Sequence, residues 1–144
     1  MDATLRICEG TVGDADTIVR HRRFMFEEMG FTDSSRNDEM DSSVRAELRG
    51  AIPSGAVIAG AGLSVGRLLG KPFNPSGAYA YLMSLYAEPP FRHMGIATRL
   101  VELMIDWARR EGLVEVKLHA SVGGRPLYEQ LGFRQTNEMR LPLR

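Results

Sequence analysis

The segment best equipped for chemistry is Arg92-His93-Met94-Gly95-Ile96-Ala97. It follows an apolar run, Tyr79 to Ala87, and a turn at Pro89-Pro90. It leads into a periodic stretch with Ile96, Leu100, Leu103, Met104, Trp107 and Ala108 on one side and Arg99, Glu102, Asp106, Arg109 and Arg110 on the other. That spacing predicts a helix with one buried stripe, closed by Gly112 just past its end. The first amides of a helix have no partner inside it, and the aligned peptide dipoles make that end positive. A short loop bearing Gly95, placed there beside Arg92, is a ready-made pyrophosphate site.

The positioning elements carry a resemblance. Arg92-x-x-Gly95-x-Ala97, directly after an apolar strand and a proline turn, resembles the R/Q-x-x-G-x-G/A signature of the GNAT superfamily of acyl-CoA-dependent N-acetyltransferases. Small residues suit that loop because a side chain at Gly95, or a large one at Ala97, would hold a diphosphate away from the amides. Downstream, Arg125-Pro126-Leu127-Tyr128-Glu129-Gln130-Leu131-Gly132-Phe133 is similar to the family's L-Y-E-x-x-G-F segment. Pro126 suits the first turn of a helix, Gly132 its left-handed stop, and Phe133 the residue that folds back on it. The resemblance covers Leu5 to Leu143 and is sharp from Leu82 to Phe133.

It implies an α/β fold of GNAT type: a mixed, mostly antiparallel central sheet, helices on both faces and a splayed parallel strand pair, all in one domain over 1–144. It also implies acetyl-CoA (coenzyme A) as acyl donor, without a metal. Cofactor contacts carried over from the motifs fall on Arg92, His93, Met94, Gly95, Ile96, Ala97 and Thr98 in the loop and first helical turn. Main-chain contacts to the pantetheine arm fall on Leu85 and Ala87, with Tyr86 between them. Ser121 stands where the family often has an asparagine, and it offers only part of that residue's hydrogen bonding.

The residues along the rest of the chain predict the remaining elements. Leu5 to Cys8 reads as a first strand. Thr11 and Asp14 resemble a capping box before a helix that ends at Gly30, Phe31 to Asn37 reads as a loop, and a second helix spans Asp38 to Arg49 before Gly50. Phe24, Met25, Phe26, Met29 and Phe31 are expected to pack into the core, with a pocket wall as the alternative. The hairpin between Ala51 and Leu69 is short for the family: its first strand is truncated, and Gly60 and Gly62 mark a bulge or a close backbone contact in the second. Val114 to Ala120 alternates as a strand parallel to the central one. A last strand is expected from about Glu138.

Acyl transfer to an amine needs a neutral nucleophile, a held oxyanion and a proton for the leaving thiolate. A lysine-like amine is neutral in only about one molecule in a few thousand at pH 7. The resemblance assigns the general acid to Tyr128. The base is open, with Glu88 as the chosen catalytic residue, His119, Glu27 and Glu28 as alternatives, and a water chain as an equal. The resemblance implies a primary amine of a small molecule or peptide as acceptor. A non-catalytic acyl-CoA-binding module is the competing function, because the central strand carries no acid between Ala78 and Ala87.

Composition narrows the class further. The 18 basic and 18 acidic residues balance, which selects neither nucleic acid nor an anionic membrane as partner. The lone Cys8 rules out an internal disulfide framework and fits a reducing, cytoplasmic setting. The shortened sheet edge makes a homodimer a reasonable assembly.

Overall fold

A computed structural model describes residues 7, 10, 12–47 and 57–143. Apart from Ile7, the expected first strand lies outside them, as do Thr11, Gly50 and the truncated strand at 51–56. After a 3-10 turn at Val12–Asp14, the order is α1 (Ala15–Glu28), α2 (Ser34–Glu47), β1 (Ala59–Arg67), β2 (Ala78–Ala87), a 3-10 turn at Pro89–Phe91, α3 (Ile96–Arg110), β3 (Val116–Leu118) and α4 (Arg125–Gln130). The sheet is mixed, in the order β1-β2-β3, antiparallel between β1 and β2 and parallel between β2 and β3.

The central feature is a bulge in β2. Gly60 pairs with Tyr86 and Gly62 with Met83, so Ala61 faces both Ser84 and Leu85. The bulge lies where Gly60 and Gly62 predict it, but the extra residue is on β2, and Ser84 takes a left-handed φ of 56°. Side chains of a strand alternate between faces, and an inserted residue reverses the alternation beyond it. Hence Leu82 and Leu85, three apart, both pack in the cluster with Val101 of α3 and Tyr128 of α4. Ser84 and Tyr86 turn to the opposite face, where they meet Arg22 and His21 of α1. Helices therefore cover both faces.

The core is Leu82, Val101 and Tyr128, with Leu85, Met104, Ile105, Leu118 and Phe133 packed around it. Val101, absent from the apolar stripe read off the sequence, is fully buried. The buried face of α3 runs through Val101, Met104, Ile105 and Ala108, one position round from the stripe predicted.

Three helices end as their glycines predict. Gly30, Gly112 and Gly132 have φ of 92°, 71° and 91°. The residue after each donates its N–H back across the last turn: Phe31 to Phe26, Leu113 to Ala108 and Phe133 to Tyr128.

Several expectations need correction. α2 starts four residues before Asp38, inside the expected loop, because the Asp33 carboxylate accepts the N–H groups of Ser35 and Arg36 and caps the helix. β3 keeps only three of the seven residues expected. Among the described residues no strand forms over 138–143: Met139 and Leu141 are 93% and 82% exposed, so the segment buries no apolar face that would hold it against β3. The expected core residues Phe24, Met25, Phe26, Met29 and Phe31 do not pack as a group, since Phe24 of α1 and Met29 and Phe31 just after it are all exposed.

The β1–β2 connection is pinned by Asn74, 1% exposed, whose amide donates to the Ala78 carbonyl at 2.9 Å. Gly77 beside it has φ 67°, and a Cβ there would lie 1.9 Å from the Leu68 carbonyl oxygen. Gly95 also has a positive φ, 76°, but a Cβ there meets nothing within 4 Å. Gly95→Ala should cost about 1–2 kcal/mol from backbone strain alone, and Gly77→Ala roughly twice as much or more because strain and collision add. Urea unfolding of both variants checks this; equal losses would contradict the collision at Gly77.

Candidate active site

The site is built where the parallel pair separates. β2 and β3 stay in register only from Ala80↔Val116 to Leu82↔Leu118, while β2 runs on to Ala87. Past the bulge, Glu88 donates its N–H to Ile58 on the β1 side at 2.9 Å. By alternation the main-chain groups of Ala87 and Leu85 point the other way, into the gap. Leu85 thus offers an edge on which an extended ligand can lie as an added strand. At Ala87 the carbonyl is already taken, because Arg92 donates its Nε–H to it at 2.9 Å.

The turn at Pro89–Phe91 carries the chain from the end of β2 to the N-terminus of α3. Gly95 is the N-cap residue, and no side chain caps the helix. The first intrahelical bond is Arg99 N–H to Gly95 O, which leaves the amides of Ile96, Ala97 and Thr98 for a ligand. His93 and Met94 are exposed, and His93 has a φ of 60°, so the loop folds through two left-handed residues, His93 and Gly95. A diphosphate fits this cradle on backbone donors and helix dipole.

Arg92 is turned back from the loop. Its Nη2 donates to Glu28 at 2.7 Å and its guanidinium stacks 5.3 Å from the Tyr86 ring centroid. The carboxylate of Glu28 raises its pKa. Arg92 thereby ties the loop to α1, and Tyr86, 6% exposed and within reach of Glu28, forms the floor under it.

Tyr128 sits 8% exposed at the edge of the core, its ring 5.7 Å edge-on to Phe133. Its hydroxyl has no hydrogen-bond partner among the described residues but is not sealed from solvent. Burial raises its pKa, so the phenol holds its proton at neutral pH. Ser121 lies just before α4 and spends its hydroxyl oxygen as acceptor for the Gly124 N–H at 3.1 Å, shaping the turn into that helix.

Glu88 follows β2 and is held by two partners, Arg20 at 2.8 Å and His21 at 3.1 Å. The hydrogen bond from His21, then the charge of Arg20, keeps its pKa below the usual 4.5. Of the other acids and bases considered, Glu28 is paired to Arg92, Glu27 is exposed on α1, and His119 contacts Tyr81 and Glu138 at the rim of β3.

The structure brings Leu85, Tyr86, Ala87, Arg92 and Glu88 together at the end of β2, with the loop His93–Thr98 adjoining. It adds two residues that sequence reasoning missed. His21 is 4% exposed and stacks 5.0 Å from Tyr86. Arg22 donates to the Ser84 hydroxyl at the bulge. The only signal for them was the run Arg20-His21-Arg22-Arg23, which reads equally as a solvated helix face.

Solved structures share this architecture. A GCN5-related N-acetyltransferase from Ralstonia eutropha JMP134 superposes with a TM-score of 0.81 at 27% identity, over 93% of this chain and 95% of that one. A protein from Clostridium acetobutylicum, described as a predicted acetyltransferase and solved with acetyl-CoA, gives 0.79 at 24% identity over 94% and 92%. The fold is that of the GCN5-related acetyltransferases. The model of the acetyltransferase (GNAT) family matches residues 18–133, and the chain belongs to that family. A curated relative, an aminoglycoside N(6')-acetyltransferase type 1 from Acinetobacter genomosp. 13, is 33% identical over 63 residues, 42% of this chain and 43% of that protein. The chain thus matches under half the length of that relative. Among the described residues no His, Cys, Asp or Glu group could hold a metal, and no helix is long and apolar enough to cross a membrane.

Because its folded pKa is depressed, Glu88 contributes stability that is complete above its unfolded value and is lost as pH falls through the lower folded one. Glu88→Gln should therefore be less stable than wild type at pH 7 and should lose less on acidification below about 4.5. Thermal melts from pH 7 to 3 test this. Identical acid limbs would remove Glu88 as an anchor between α1 and β2.

Proposed function

We propose that this chain transfers an acetyl group from acetyl-CoA to a primary amine of a small molecule or peptide, by direct attack in a ternary complex. The reading is supported by a freed β2 edge leading into an uncapped α3 N-terminus, and by Tyr128 packing in the same cluster as Leu85 of that edge. Acetyl-CoA, the usual donor in this family, supplies an already activated acyl group when bound, so no acyl-enzyme is required.

In this reading the amides of Gly95 to Thr98 hold the diphosphate, and the main chain of Leu85 and the Ala87 N–H hold the pantetheine arm. The backbone N–H groups beside the bulge polarise the thioester carbonyl and stabilise the oxyanion formed on it. The amine nitrogen adds to the carbonyl carbon as the C=O π bond opens to the oxyanion; its collapse then breaks the C–S bond, and Tyr128 gives its proton to the departing thiolate. The proton lost by the amine passes to water. Glu88 is ill suited to take it, since its lowered pKa and two basic partners make it a weak base at neutral pH.

Calorimetric titration with acetyl-CoA and a coenzyme A release assay across a panel of amines test the proposal together. Wild type should bind in the micromolar range and Gly95→Glu should not. Tyr128→Phe should bind normally while kcat falls about a hundredfold. Binding without release for any acceptor would make the chain an acyl-CoA-binding module. No binding to folded wild type would overturn the reading.

A further inference from the structure

Arg22 stands apart from the charges around it. Glu28 is taken by Arg92, Glu88 by Arg20 and His21, Asp38 by Arg23, and Asp41 by Arg23 through Oδ2, its Oδ1 being buried without a partner. Arg22 pairs with no carboxylate among the described residues. It donates to the neutral Ser84 hydroxyl, its guanidinium lies 5.2 Å from the Phe26 ring centroid, and its Nε is buried without a partner. Burial lowers its pKa, with no neighbouring charge offsetting the effect. A half-buried cation with an orphaned donor is costly, and such a group is normally answered by an anion.

Its position says which anion. Ser84 is the bulge residue, where β2 leaves β3 and where the proposed thioester is polarised. Arg22 reaches it from the α1 face, opposite the face on which Leu85 packs against the core. The phosphate cradle at Gly95 lies at the far end of β2, with the Arg92–Glu28 pair and Tyr86 between. A groove of about 420 Å³ between α1 and α2 has Phe26, Phe31 and Met40 on its wall beside the polar Asp33, Arg36 and Asn37, and Arg22 meets it only through the Phe26 ring. From this juxtaposition we infer that the acceptor is a small amine that also carries a carboxylate. Arg22 binds that carboxylate through charge-assisted hydrogen bonds, and the apolar part of the molecule lies toward Phe26. The inference rests on the acetyltransferase reading and narrows its acceptor class. It opposes a polycationic acceptor of the aminoglycoside kind, which an unpaired arginine at this place would repel.

The test compares glycine, β-alanine, leucine and phenylalanine with their methyl esters, and with kanamycin as a polycation lacking a carboxylate. Coenzyme A release is measured for wild type, Arg22→Met and Arg22→Lys. Calorimetric binding of the same acids to the complex with coenzyme A gives a readout independent of turnover. At least one acid should exceed its ester by about ten- to a hundredfold in kcat/KM, and Arg22→Met should erase that gap through KM. Arg22→Lys should keep part of it, and acetyl-CoA affinity should be unchanged in both variants. Esters or kanamycin matching the acids, no acid binding at all, or a gap that survives Arg22→Met would overturn the inference. Weakened acetyl-CoA binding in Arg22→Met would assign the anion to the donor's phosphates and overturn it equally. Failure of wild type to bind acetyl-CoA, read before any acceptor is added, would sink the acetyltransferase reading and this inference with it.

Discussion

One inserted residue in β2 sets the geometry of the rest. With regular alternation, Leu82 and Ser84 would share a face and Tyr86 would point into the core. The left-handed turn at Ser84 reverses that order, giving Leu85 to the cluster around Val101 and Tyr86 to α1. The same residue ends the parallel pairing with β3, because a bulged strand bends and twists away from its neighbour. A packed sheet would have satisfied the backbone of Leu85 internally. The bulge leaves it available, at the cost of a non-glycine residue at positive φ.

The freed end of β2 is held in place by charges. Arg20 and His21 grip Glu88, and Glu28 grips Arg92, so α1 is fastened to both sides of the turn at Pro89–Phe91. Apart from the buried His21, the partners are partly solvent-accessible, and exposed ion pairs contribute little to stability. Their consequence is positional. They fix the loop before α3 so that its backbone amides, rather than the Arg92 guanidinium, present the positive surface at the opening. Arg22, between these pairs in sequence, is the one of the group whose charge they leave unanswered among the described residues.

Apolar residues on α1 follow the same division of labour. Val19 is buried, whereas Phe24 stays 40% exposed against Tyr86 and Phe26 lines the groove toward α2 with Phe31 from the following loop. A helix with helical apolar spacing has here only part of its apolar surface in the core. The remainder lies at the surface between α1 and the segment that follows it.

Local chemistry by itself determined much of this protein. Glycines at 30, 112 and 132 ended helices because only that residue takes the left-handed stop without strain, and the loop through Gly95 into α3 was legible because its glycine, small residue and helical stripe serve one purpose in one stretch of chain. Asp33 capping α2 was equally local and was overlooked. Elements that depend on distant partners were not legible. A strand at Glu138 had an acceptable alternating pattern, but its apolar residues Met139, Leu141 and Leu143 meet nothing to pack against, and β3 shrank for want of a neighbour. The roles of His21, Arg22 and Glu88 were decided by tertiary structure alone. Each depends on which face of β2 its partner occupies, and that face is set by a bulge whose extra residue could have fallen on either strand until the two were paired.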